Sequence, residues 1–155
     1  MRHLIFALAL LACATPEARA DLPEITYAER VNACVAAAEG DRAALNACKG
    51  AASQPCMDAD GVTTIGMITC LSEEGSAWEA HMAGAQTRLA ALHPETAGAL
   101  TYAQNQWRAY RDAECSYAVA RWGEGSGARV EHAACTTNMA ADRAIGLILI
   151  ERLGD

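Results

Sequence analysis

Ile68, Leu71, Gly75, Trp78, Met82, Ala85, Leu89 and Leu92 follow one another at alternating steps of three and four residues. That period lines up one face of an α-helix along its whole length, the seam of a helix packed lengthwise on others. The segment predicts a helix from about Thr64 to Leu92 that stops at "LHPET", where Pro94 forbids continuation and Thr96 can cap the next helix. The same steps recur through Leu100, Ala103, Trp107, Tyr110, Glu114, Tyr117 and Arg121. The short connection at Pro94 makes this second helix the expected antiparallel partner of the first. "GEGSG", Gly123 to Gly127, reads as a loop, because each glycine costs a helix roughly 1 kcal/mol. A third helix is expected from about Arg129 to Leu153, with Val130, Ala134, Thr137, Ala141, Ile145 and Ile148 inward. Upstream, "ITYAERVNACVAAAEG" and "DRAALNACKG" read as two short helices, the first ending at Gly40 and the second capped by Asp41. No segment sustains a period of two. The expectation is therefore all-α: an antiparallel bundle of about three main helices plus short N-terminal helices, stapled by disulfides.

The staples follow from the start of the chain. "MRHLIFALALLACATPEARA" has a basic residue, an apolar run too short to span a bilayer, and the small-x-small triplet Ala18, Arg19, Ala20. Residues 1–20 are read as a secretory signal peptide cleaved before Asp21. "LLAC" also fits the loose pattern for lipidation at Cys13, which would anchor the chain to a membrane. Either route leads to the periplasm or the cell exterior. Six cysteines then remain, Cys34, Cys48, Cys56, Cys70, Cys115 and Cys135, and in an exported chain an even count reads as a disulfide framework. Six cysteines allow 15 pairings. Local bridges are the simplest of them, because Cys34 to Cys48 and Cys56 to Cys70 are both separated by 14 positions and Cys115 and Cys135 flank the glycine loop. Residues 21–155 are expected to form one helical domain, in which 21–55 are an extension pinned by Cys34 and Cys48.

Removing residues 1–20 leaves 10 basic and 18 acidic residues, a net charge of −8. With no Lys/Arg cluster this argues against nucleic acid and favours a basic partner. The chemistry-bearing patterns are sparse. No C-x-x-C, G-x-S-x-G, Walker loop or H-E-x-x-H occurs. "EHAAC" puts His132 and Cys135 on one helical face, but a bridged cysteine has no thiolate to offer, and His81 with Glu74 and Glu79 is a weak alternative. In "CMDADGVTTIGM" Asp58, Asp60 and Gly61 suit a calcium loop, yet Cys56 and Met67 stand where its first and twelfth ligands belong. Asp58 to Gly61 is read as a turn. The neighbouring pairs Glu73/Glu74 and Asp112/Glu114 read as solvated helix faces rather than the opposed acids of a glycosidase. No metal, cofactor or catalytic residue is expected, and the chain is read as a non-enzyme.

The stretch "QWRAYRDAEC" places Arg111 one turn from Trp107 and from Cys115, so that its guanidinium can stack on the indole and bond Asp112, Glu114 or a loop carbonyl. These residues resemble the LprI-type lysozyme inhibitor family, a small exported helical domain. The likeness rests on Gln106, Trp107, Tyr110, Arg111 and Cys115, on the glycine-rich turn, on Cys135 and on Arg143 in "TTNMAADRAIGL". The segment from Cys56 to Cys70 is similar too, and the likeness covers about residues 56–153. Two features depart from the family pattern: the turn "WGEGSGAR", and the extra pair Cys34 and Cys48. The resemblance implies an envelope protein that binds and inhibits a lysozyme-type muramidase. The alternative is a non-enzymatic periplasmic structural or interaction module that binds another envelope protein or a small ligand. Trp107, Tyr110, Arg111 and Arg143 are expected as framework, and Arg121, Glu124, Gly125, Ser126, Gly127 and Arg129 as the binding loop.

Overall fold

A computed structural model describes residues 26–60, 63–123 and 125–153. Their order is α1 (Tyr27–Ala37), α2 (Arg42–Ala47), α3 (Ser53–Asp60), α4 (Thr64–Leu92), a 3-10 turn (Pro94–Thr96), α5 (Ala97–Ala120) and α6 (Gly127–Leu153). Among the described residues there is no strand, and no helix is long and apolar enough to cross a membrane. Local chemistry sets most of these boundaries. Thr26 and Glu29 form a reciprocal capping box at the start of α1, and the Asp41 side chain accepts from Ala44 N at 2.8 Å to start α2. Between them Gly40 takes φ +78°, and a β-carbon there would also collide with the Arg152 side chain that donates to Glu39 O. The expected signal peptide, residues 1–20, and Cys13 within it lie outside the described residues. The expected turn at Asp58 is corrected: Asp58 is helical, in the last turn of α3, and Gly61 lies outside the described residues.

The long helices form an up-down-up bundle in which α4 and α6 run the same way. Thr137 donates to Leu71 O near one end of their contact, and Arg88 pairs with Glu151 near the other. α5 runs back against α6, joined to it by Cys115–Cys135 and by Arg143 with Gln104. The main partner of α4 is thus α6 and not α5, which lies mainly on α6. The reason is side-chain size. Gly75 is pressed so closely on α6 that a β-carbon would sit 2.7 Å from Thr137 Oγ1, and Ala140, Ala141 and Ala144 keep the facing surface low. The core spreads from this contact to Trp78, Met82, Ala85, Leu89, Ile145 and Leu147, and takes in Val31 of α1 and Leu45 of α2, both fully buried.

Two details of the seams are corrected. Leu92 is 51% exposed, because the core ends at Leu89. On α5 the inward stripe is Leu100, Gln104, Trp107, Arg111, Cys115 and Ala118, not one through Ala103, Tyr110, Glu114, Tyr117 and Arg121. A shift of one residue turns a helix by about 100°. Cys115 must face Cys135 and Gln104 must face Arg143, and these two cross-links set the rotation against the hydrophobic pattern.

The disulfides are Cys34–Cys48, Cys56–Cys70 and Cys115–Cys135, with sequence separations of 14, 14 and 20. Loops of that length contribute on the order of 3 kcal/mol each in the chain-entropy account. The first joins α1 to the end of α2, the second α3 to α4, and the third α5 to α6. What joins the α2–α3 connection to the core is Glu74. Expected on a solvated face, it is instead 1% exposed. One carboxylate oxygen accepts from Gly50 N at 2.7 Å and from the Trp78 indole at 3.2 Å, and the other accepts from Ala52 N at 3.0 Å and Ser53 N at 2.7 Å. Burial raises its pKa, but the N–H donors outweigh burial and hold the carboxyl below its usual value of 4.5.

A carboxyl lowered by folding adds stability above its unfolded pKa and loses it as the pH falls through the folded value. Glu74→Gln, which turns an amide N–H toward backbone donors, is expected to lower unfolding stability by about 2–4 kcal/mol at pH 7 in urea titrations of the oxidised protein. The gap from wild type should narrow as the pH is lowered below 4.5.

Candidate functional site

The expected framework is arranged along the α5–α6 contact. Arg111 lies over the Trp107 ring at 5.2 Å from its centroid, bonds Asp112 through Nε at 3.0 Å and reaches across to Glu79 of α4. That one guanidinium links helix to helix and keeps the indole upright. Two turns before Arg111 on α5, Gln104 Oε1 accepts from Arg143 Nε. Gln104 is fully buried and its Nε2 has no partner among the described residues, while burial holds the Arg143 pKa below its usual value. The glutamine that faces inward is therefore Gln104, and Gln106 is exposed. A signal for it exists in the sequence: Gln104 lies four residues after Leu100 and three before Trp107, on one helical face.

Tyr110 is placed differently from its expected framework role. Its side chain is 58% exposed and borders an open groove between α5 and α6, together with Trp107, Glu114, Glu131, Met139 and Asp142. The Cys115–Cys135 bridge lies beneath, with Cys115 Sγ 3.7 Å from Met139 Sδ.

Arg121 stands at the end of this groove and opens the glycine loop. Gly123 takes φ +64°, and Trp122 folds back over Gly127 so closely that a β-carbon there would meet the indole at 2.7 Å. Ala128 N donates to Gly125 O at 3.0 Å, closing the loop onto the first turn of α6. Gly127 is thus the first residue of α6 and half-buried, while Arg121, Gly125, Ser126 and Arg129 are exposed. Glu124 lies outside the described residues. Neither Arg121 nor Arg129 is in an ion pair among the described residues.

The other polar clusters considered from sequence do not come together as sites. Cys135 is spent in a disulfide beside His132. Glu74 is turned to the 50–53 backbone, and His81 packs on Trp78 with ring centroids 5.9 Å apart. Burial, with the nearby Arg88 charge, lowers the His81 pKa. Among the described residues no three His, Cys, Asp or Glu side chains are grouped to hold a metal ion.

Comparison with known proteins gives a family match. The family model described as "Lysozyme inhibitor LprI" covers residues 56–147, from Cys56 to near the end of α6. No curated protein and no solved structure matches the chain.

The Arg143–Gln104 pair is open to a cycle of substitutions. Gln104→Leu leaves a part-buried guanidinium without its acceptor and is expected to cost about 2–3 kcal/mol in chemical denaturation. The double variant Gln104→Leu/Arg143→Met removes the charge as well and should recover most of that loss.

Proposed function

The chain belongs to the LprI lysozyme inhibitor family, and from that premise we propose that it is an exported envelope protein that binds and inhibits a lysozyme-type muramidase. The family match over residues 56–147 carries this reading. Three disulfides suit a chain that folds in an oxidising compartment, which supports export. In this reading residues 1–20 are removed as a signal peptide and residues 21–155 act as one domain, periplasmic or extracellular. Lipidation at Cys13 would anchor the same domain to the membrane surface.

The binding element is the loop from Arg121 to Arg129, with Glu124, Gly125, Ser126 and Gly127 between. A muramidase works with two carboxyl groups flanking the scissile bond, and an arginine held on a short loop can pair with such a carboxylate and occupy the substrate's place. Arg121 and Arg129 are exposed and flank the loop tip, which supports this role. The protein supplies no chemistry of its own here; it inhibits by occupancy. A net charge of −8 for residues 21–155 speeds its encounter with a basic target.

The test is a cell-wall turbidity assay with the purified oxidised protein. Lysis is expected to slow in proportion to the inhibitor added and to stop near equimolar amounts. Arg121→Ala/Arg129→Ala should weaken inhibition about tenfold or more, the loss of charge-assisted hydrogen bonds. Undiminished lysis at a several-fold excess of protein, with no complex on gel filtration, would overturn the reading.

A further inference from the structure

We propose that the groove between α5 and α6 is a second contact surface, which seats an arginine or lysine side chain of a basic protein partner. The groove has an apolar bed, where Met139 lies beside the Cys115–Cys135 bridge, and an aromatic wall of Trp107 and Tyr110. Glu114 of α5 and Glu131 and Asp142 of α6 border it from opposite sides. Asp142 is shared with Lys49, but Glu114 and Glu131 have no ion-pair partner among the described residues.

An aliphatic stem ending in a cation matches this surface along its length. The stem lies on Met139 and the aromatic rings, and the charged head meets the faces of the rings and the two free carboxylates. Other occupants fit less well. An anion would face three carboxylates against the single guanidinium of Arg121, and the carboxylates are not grouped closely enough to hold a metal ion. The protein already contains one such contact, Arg111 over Trp107 with Asp112 and Glu79 around it. Arg121 belongs to both the groove and the loop, so the two form one continuous surface. A basic enzyme with carboxylates in its cleft would meet the loop with the cleft and the groove with its basic rim. The identity of the partner rests on the proposed inhibitory function; the chemistry of the groove does not.

The experiment uses the oxidised mature protein and two probes, a basic lysozyme and a short blocked oligo-arginine peptide, with binding followed by calorimetry. Glu114→Gln/Glu131→Gln and Tyr110→Ala change two exposed side chains and the half-buried Glu131, and thermal unfolding checks that each variant keeps its fold. Each variant is expected to weaken binding of both probes about tenfold, and wild-type affinity should fall as salt is raised. Asp58→Asn/Glu95→Gln removes the same charge elsewhere and should leave both affinities within about twofold. Folded groove variants that hold both probes as tightly as wild type overturn the inference, and if lysozyme is still inhibited the proposed function survives. A peptide bound through the groove with no lysozyme bound upholds the groove and removes the inhibitory reading. Wild-type protein that binds neither probe overturns both.

Discussion

A single buried carboxylate ties the α2–α3 connection to the core of this molecule. Glu74, in the middle of α4, gathers the backbone N–H groups of Gly50, Ala52 and Ser53 and the indole of Trp78. The α2–α3 connection therefore has its free donors satisfied from inside the core, where unpaired N–H groups would each cost about 1–3 kcal/mol. Trp78, the largest fully buried side chain, is oriented by one of these oxygens. The Cys34–Cys48 and Cys56–Cys70 bridges lie to either side in sequence: the first holds α1 to the end of α2, and the second holds α3 to α4. Residues 26–55 precede the family match, yet Val31 and Leu45 are among the most buried side chains of the common core.

The second constraint is the close contact of α4 with α6. Gly75 and the alanines of α6 let the two backbones approach, and close van der Waals packing of α6 on α4 as far as Leu89 follows. α5 is left with one narrow inward stripe, whose most buried members are a glutamine and a half-cystine. Because it is held by cross-links rather than by a wide apolar face, its other sides are free to carry tyrosines, arginines and carboxylates at the surface. The parts of the molecule suited to recognition are accordingly on α5, on the loop that follows it and on the adjoining side of α6.

Rigidity would serve the proposed inhibition. A loop that inserts into another protein's cleft loses affinity if it must be ordered on binding. The bridge at Cys115 and Cys135 and the seating of Trp122 on Gly127 fix the described ends of this loop beforehand. Arg111, stacked on Trp107 and paired to both its own helix and α4, does the same for the groove wall.

The sequence by itself determined where the helices run and what separates them. Steps of three and four, Pro94, the glycines after Trp122 and the cap at Asp41 all act within a turn or two of chain, and they are legible there; Thr96, expected as a cap, makes no capping bond and donates its hydroxyl to His93 O instead. The equal spacing of the cysteines likewise pointed to the local bridges that the structure contains. Tertiary structure alone decided which polar groups are buried. Glu74 reads as a surface acid because its partners lie more than twenty residues upstream, although its position one turn from both Cys70 and Trp78 was a hint. It also decided the rotation of α5, and with it whether Tyr110 or Arg111 faces inward. Hydrophobic periodicity ranks side chains by their own transfer energy, whereas a buried polar group is stabilised by partners from distant parts of the chain. That difference turned α5 by one residue and moved Tyr110 from the framework to the surface of the groove.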